Sequence, residues 1–186
     1  MIRNLARSVT VEVPCRADLA GGTLDIWPLG MLFSDALTVN AAIPVIVRIE
    51  ADLGAGEGEV LHSMDGLQWR VFGAADAMTD LSAAVAFALC PKGGVRIRVL
   101  SQASIGSGLG GSSAYGVALG RAVLGLVGRE LADPDLVALV RDLEARVLQV
   151  PTGIQDHWPG VTGGVLAFHH EPGGERVERL DLDPGW

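Results

Sequence analysis

The segment VRIRVLSQASIGSGLGGSSAYGVALG, residues 95–120, decides how this chain is read. Val95, Ile97 and Val99 alternate with Arg96 and Arg98, the period of two that lays one side of a strand on a core and the other in water. A loop rich in serine and glycine follows, Ser101 to Gly111. A helix is then expected, capped by Ser112 or Ser113 and running to about Val127, with Gly116 and Gly120 four residues apart for close packing. Strand, glycine loop and helix in that order bring backbone N–H groups and the positive end of a helix dipole toward an anion. Ser104 to Ser113, with four glycines in the six residues from Gly106, is therefore read as a phosphate-binding loop rather than a flexible connection. It is not a Walker loop, which needs Lys before Ser or Thr. It also misses the hydrolase elbow G-x-S-x-G, because Ala114 stands where the last glycine belongs.

Working outward, Val9 to Pro14 alternates as a strand, and Leu37 to Glu50, β-branched and apolar in its second half from Ile43 to Ile49, is expected to pair with it. Gly54 to Gly58 is a turn, and Glu59 to Phe72 reads as a hairpin reversing at Asp65-Gly66. Ala74 to Leu89 reads as one helix, broken by Pro91, Gly93 and Gly94. Downstream, Asp133-Pro134 opens a helix whose apolar face is Leu136, Val140, Leu143 and Val147, ended by Pro151 to Gly153. Val165 to Phe168 is a short strand and Arg176 to Leu182 a last edge strand. Strands come early and helices late without regular alternation, so the expected class is a two-layer α+β sandwich, one domain over residues 1–186.

Composition narrows the partners. The 186 residues are 49% hydrophobic with a net charge of −8, and the basic residues form no cluster, which argues against nucleic acid. Lys92 is the only lysine, so phosphate chemistry would rest on arginine, backbone amides, helix dipoles and a metal ion. The longest apolar run, Ala83 to Cys90, is far shorter than the roughly 20 residues that span a bilayer, so no membrane partner is expected. Nothing apolar follows Arg3 and Arg7 as in a secretory signal, and the expected location is the cytoplasm. Cys15 and Cys90 read as reduced, buried thiols.

Two further groups carry chemical potential. Gly153-Ile154-Gln155-Asp156-His157, bounded by Pro151 and Pro159, presents a carboxylate that suits a general base toward a hydroxyl. Glu144 stands on a helix between Val140 and Leu148, where a carboxylate needs a partner. Arg141 and Arg146 are the ordinary partners, and Mg²⁺ at the glycine loop is the functional one.

Three stretches taken in order resemble the GHMP kinases, the family of galactokinases and of homoserine, mevalonate and heptose-phosphate kinases. Pro14 to Asp25 resembles the first substrate-side motif, with Arg16, Gly21 and Asp25 in register. Gly106 to Ala114 is similar to the ATP-phosphate loop. Glu144 with Gly153 to Asp156 is similar to the segment supplying a magnesium-ligating glutamate and the catalytic aspartate. Cys15 replaces a glycine, Leu24 a threonine, Ser104 a proline and Gly111 a serine.

The resemblance implies the family's N-terminal fold, with left-handed β-α-β features as in a ribosomal protein. It implies a kinase that moves phosphate from Mg·ATP to a hydroxyl of a small molecule, a sugar or sugar phosphate. Gly106, Ser107, Gly108, Leu109, Gly110, Gly111, Ser112 and Ser113 would hold the nucleotide, and Ser112 and Glu144 the Mg²⁺, with Ser113 as the alternative register. Asp156 would serve the acceptor hydroxyl, Arg16 the aspartate or the transferring phosphate, and Asp25 and Gly22 the acceptor. The likeness runs from Val9 to about Phe168 and lacks the family's C-terminal domain, which implies a separate C-terminal half or self-association. The alternative is a noncatalytic nucleotide-binding or regulatory module, or an inactive fragment.

Overall fold

The structure is a computed structural model that describes residues 8–103, 106–171 and 174–181. Ser104 and Ile105, the first two residues of the proposed phosphate loop, lie outside the described residues, as does Leu182. Two long strands form the frame, β1 (Ser8–Ala20) and β2 (Leu37–Asp52), paired antiparallel along their lengths. Short strands β3 (Val60–Ser63) and β4 (Arg70–Phe72) make the expected hairpin. The Asp65 carboxylate accepts from the amides of Leu67 and Gln68, and Gly66 turns with φ 75. Next come β5 (Val95–Ser101), β6 (Val165–Glu171) and β7 (Gly174–Leu180). The sheet runs β4-β3-β5-β2-β6-β7, with β1 on the other side of β2. β5 joins β3 in parallel after the chain crosses over through helix α1 (Leu81–Leu89).

Each strand's alternation assigns its two faces. Val47, Ile49, Ala51, Val95, Ile97 and Val99 are buried on the helical side, against α1 and α2 (Gly111–Val127). Their alternates Arg48, Glu50, Arg96 and Arg98 face water in a ladder of ion pairs at 2.8–3.4 Å. Such exposed pairs stabilise by no more than about 1 kcal/mol each, so the buried face carries the fold. The result is α+β in two layers, as expected.

Three local readings change. Ala74 to Leu89 is not one helix, because two aspartates interrupt it. The Asp76 carboxylate bonds the Gly73 amide at 2.7 Å and closes a 3-10 turn, Ala74–Met78; Asp80 then caps α1 by accepting from the Ala83 amide at 3.0 Å. A short helix α4 follows α3 (Asp133–Leu148) at Pro159–Thr162, where no element was expected. β1 also runs well beyond its expected end at Pro14, to Ala20, while β2 keeps within two residues of its expected bounds. Opposite Pro14 and Cys15, β2 carries two extra residues, Pro44 and Val45, and Gln102 closes that gap by bonding both the amide and the carbonyl of Ile46. Past this irregularity β1 buries both Cys15 and Arg16, so the inward-outward alternation breaks at Arg16.

α3 lies against α2, and the two glycines decide how closely. A Cβ at Gly116 would stand 2.4 Å from Val140 Cγ1, and one at Gly120 2.7 Å from Leu136 Cδ1. One turn before Gly116 is Ser113, and one turn after Val140 is Glu144. The small-residue packing of the helices therefore sets those two side chains side by side.

Candidate active site

The glycine loop enters α2 without a side-chain cap. Gly106, Gly108 and Gly110 take φ of 77, 72 and 66, a left-handed conformation that a side chain would strain, and they alternate with ordinary residues. Gly110 occupies the N-cap position of α2, so the expected serine cap does not form. The first amides of α2 therefore have no partner within the helix and no side-chain cap, the geometry that receives an anion. Ser113 spends its hydroxyl elsewhere, donating to Glu144 Oε2 at 2.8 Å. Ser112 is exposed beside it, on the wall of the cavity that the loop encloses.

Glu144 is 2% exposed, and neither ordinary partner reaches it. Arg141 pairs with Asp142 at 2.8 Å, and Arg146 donates to the Ala77 carbonyl at 3.2 Å. Burial pushes the Glu144 carboxyl up, but His157, Ser112 and Ser113 together outweigh it and hold the group below its ordinary value. A carboxylate with two hydroxyls beside it is a hard oxygen donor set of the kind Mg²⁺ takes. Among the described residues no group of three or more His, Cys, Asp or Glu is placed to cage a metal. A cation here would complete its shell with phosphate and water, the habit of Mg²⁺.

Arg16 is the hub. Its Nε and Nη2 both lie 2.7 Å from Asp156 Oδ1, its Nη1 donates to the Gly108 carbonyl at 2.7 Å, and the same Nη1 stands 3.3 Å from Asp18. Its backbone N–H bonds the Leu109 carbonyl at 3.0 Å. Of the two uses open to Arg16, holding the aspartate is the one the geometry has already made. Asp156 Oδ2 carries none of these bonds.

The Asp156 segment is tied to Pro14–Asp25 by residues that the sequence did not assign. Gln155 donates its backbone N–H to Asp25 Oδ2 at 3.0 Å, accepts at its carbonyl from Asn40 Nδ2 at 2.7 Å, and donates its side-chain amide to the Gly22 carbonyl. Gly153 packs so closely that a Cβ there would meet the Asp25 carboxylate. Gln155 and His157 sit within the quoted motif, yet their partners are about 130 and 13 residues away, a relation with no local periodicity.

Two cavities meet at these groups. The larger, about 480 Å³, runs from the glycine loop past Met64, Ser82 and Tyr115. The smaller, about 270 Å³, holds Arg16, Gly22 and Asp25. Ser113, Glu144 and Asp156 line both. The candidate residues thus converge on one place, although residues 16 and 156 are far apart in sequence.

Asp25 is 6% exposed, and its carboxyl is pushed up to about 6, first by burial and further by the nearby Asp156 and Asp18 charges, while the Gln155 amide pulls it down. Below its unfolded value the carboxyl is protonated in both states and carries no penalty. Between that value and about 6 the unfolded chain ionises while the buried carboxyl stays protonated, so native stability falls as pH rises and levels off above about 6. Asp25→Asn is therefore expected to match wild type near pH 4 and to be more stable by about 1–3 kcal/mol at pH 8. Urea unfolding at the two pH values measures it, and an equal difference at both would place the penalty elsewhere.

The family model described as the GHMP kinases N terminal domain matches residues 70–164. Solved structures share the fold at low identity. A D-glycero-D-manno-heptose 1-phosphate kinase from Bacteroides thetaiotaomicron superimposes with TM-score 0.78 at 21% identity, over 94% of this chain and 60% of its own. Methanococcus jannaschii mevalonate kinase gives 0.73 at 17%, over 94% and 56%. Lactococcus lactis galactokinase, complexed with galactose, gives 0.76 at 14%, over 98% and 50%. The chain thus spans 50–60% of the length of these structures. No curated protein sequence matches it.

Proposed function

Because the chain belongs to the GHMP kinases through their N-terminal domain, whose members are small-molecule kinases, we propose that it is the nucleotide-binding domain of a kinase that phosphorylates a hydroxyl of a sugar or sugar phosphate. The observation that carries this reading is the meeting of two cavities at Ser113, Glu144 and Asp156. Transfer between two substrates needs their reacting atoms at one boundary, with fixed charges around it. In this reading the larger cavity takes ATP, with its phosphates on the amides of Gly106 to Ser113. The smaller takes the acceptor, against Gly22 and Asp25. Asp156 Oδ2 accepts the acceptor's proton as its oxygen forms a bond to the γ-phosphorus and the bond to the leaving ADP oxygen breaks. Arg16 holds the other oxygen of Asp156 and fixes the loop to it.

Ser112 and Glu144 would hold Mg²⁺, which when bound neutralises charge on the β- and γ-phosphates. Trp27, Met31, Leu32 and Phe33 stand more than half exposed in a row just beyond Asp25, an apolar surface that favours a closing second half or a second copy over open water. Residues 1–186 would act as one domain of that assembly, in the cytoplasm. Among the described residues no helix is long and apolar enough to cross a membrane.

Titration calorimetry tests the reading. Mg·ADP is expected to bind, and Ser112→Ala to weaken it about tenfold with Mg²⁺ and little without, the size of one lost contact to the ion or phosphate. No binding at millimolar Mg·ADP would sink the proposal.

A further inference from the structure

Among the described residues the proposed reaction leaves the buried His157 imidazole unused. His157 has no solvent exposure, and its Nε2 lies 2.9 Å from Glu144 Oε2, the same oxygen that accepts from Ser113 at 2.8 Å. The two groups reach that oxygen from different elements, Ser113 from the first turn of α2 and His157 from the loop before α4. Nδ1 has no partner among the described residues, and the Glu144 oxygen is the polar atom within reach of Nε2 there. A buried polar group so poorly satisfied costs about 1–3 kcal/mol, a penalty that an apolar side chain of similar shape would not carry. Packing alone therefore gives no reason for an imidazole there, and among the described residues Glu144 is the charged group paired with it.

We propose that His157 is a positioning residue for Glu144: with Ser113 it fixes Oε2 and leaves Oε1 as the oxygen for a divalent cation. The inference rests on the reading of Glu144 as a metal ligand. His157 touches neither nucleotide nor acceptor and acts through the carboxylate. Partners of this kind are typically worth 10–100-fold in metal affinity.

The test uses Mn²⁺ as the probe, titrated into the whole chain with saturating ADP and followed by its electron paramagnetic resonance signal. His157→Leu and His157→Phe are expected to weaken Mn²⁺ about 10–100-fold, His157→Gln to recover most of the loss, and all three to bind metal-free ADP as wild type does. Thermal unfolding of the Leu and Phe variants should be level with wild type or higher. A folded Leu or Phe variant within about twofold of wild-type Mn²⁺ affinity overturns the inference while leaving the kinase reading intact. Wild type that binds no Mn²⁺ in the presence of ADP overturns the metal reading itself. Should both apolar variants fail to fold, the wild-type imidazole ¹⁵N resonances decide: they shift when Mg²⁺ joins ADP if His157 serves the metal carboxylate, and unchanged resonances overturn it.

Discussion

Arg16→Met should lower stability by about 2–4 kcal/mol and abolish detectable Mg·ADP binding at the same time. Among the described residues the guanidinium is the only cation paired with Asp156 and Asp18, and it is 9% exposed at the side chain, so removing it leaves two neighbouring carboxylates without that counter-charge. Breaking a fully buried pair costs about 3–5 kcal/mol; the range here is lower because the Asp156 side chain is 28% exposed and water screens part of the loss. The second effect follows from the Nη1 bond to the Gly108 carbonyl, which ties the loop to the side chain; the backbone N–H bond to Leu109 survives in the variant and does not replace it. Arg16→Lys keeps the charge but not the fork that reaches Asp156 and Gly108 together, so it should restore less than half of the stability and little of the binding. Urea unfolding and calorimetry on the same preparations measure both, and a Met variant with intact nucleotide affinity would show that the loop does not depend on Arg16.

Asp156→Asn has the opposite signature. The amide oxygen can still accept both Arg16 N–H groups, so the fold and Mg·ADP affinity should stay near wild type. The side chain can no longer take a proton. In any polypeptide carrying this chain that transfers phosphate, turnover should fall by about 10²–10⁴, the range of a lost general base. The assay is ADP release over a panel of sugars and sugar phosphates. Turnover within a few fold of wild type would make Asp156 a structural partner of Arg16 and nothing more.

What could be read in the sequence was whatever depends on neighbours along the chain. The alternation of Val95, Ile97 and Val99 located β5 because a sheet face repeats every two residues. Gly116 and Gly120 announced a close helix contact, and the partners Val140 and Leu136 are the ones that would clash. The break between Met78 and Leu81 was not legible, because alanines support a helix through it and only the carboxylates of Asp76 and Asp80, turned back on their own backbone, stop it. At the site, motif resemblance named Arg16, Asp25, Glu144 and Asp156; all four line the smaller cavity, and Glu144 and Asp156 also line the larger. It could not say that Ser113 rather than Ser112 donates to Glu144, since that depends on the rotation of α2 against α3. Nor could it show the bonds from Gln155 to Asp25 and Gly22, which arise only when the two loops meet.

The central claim is that nucleotide phosphates sit on the amides at the start of α2, and backbone amide resonances read that contact directly. In a ¹H–¹⁵N titration of this chain with Mg·ADP, the account predicts the largest shifts at Gly106, Gly108, Gly110, Gly111, Ser112 and Ser113, smaller ones at Arg16 and Asp156, and none at Arg48, Arg96 and Arg98 on the outer sheet face. Saturable shifts centred on that outer face, or none in the loop at millimolar Mg·ADP, would contradict it.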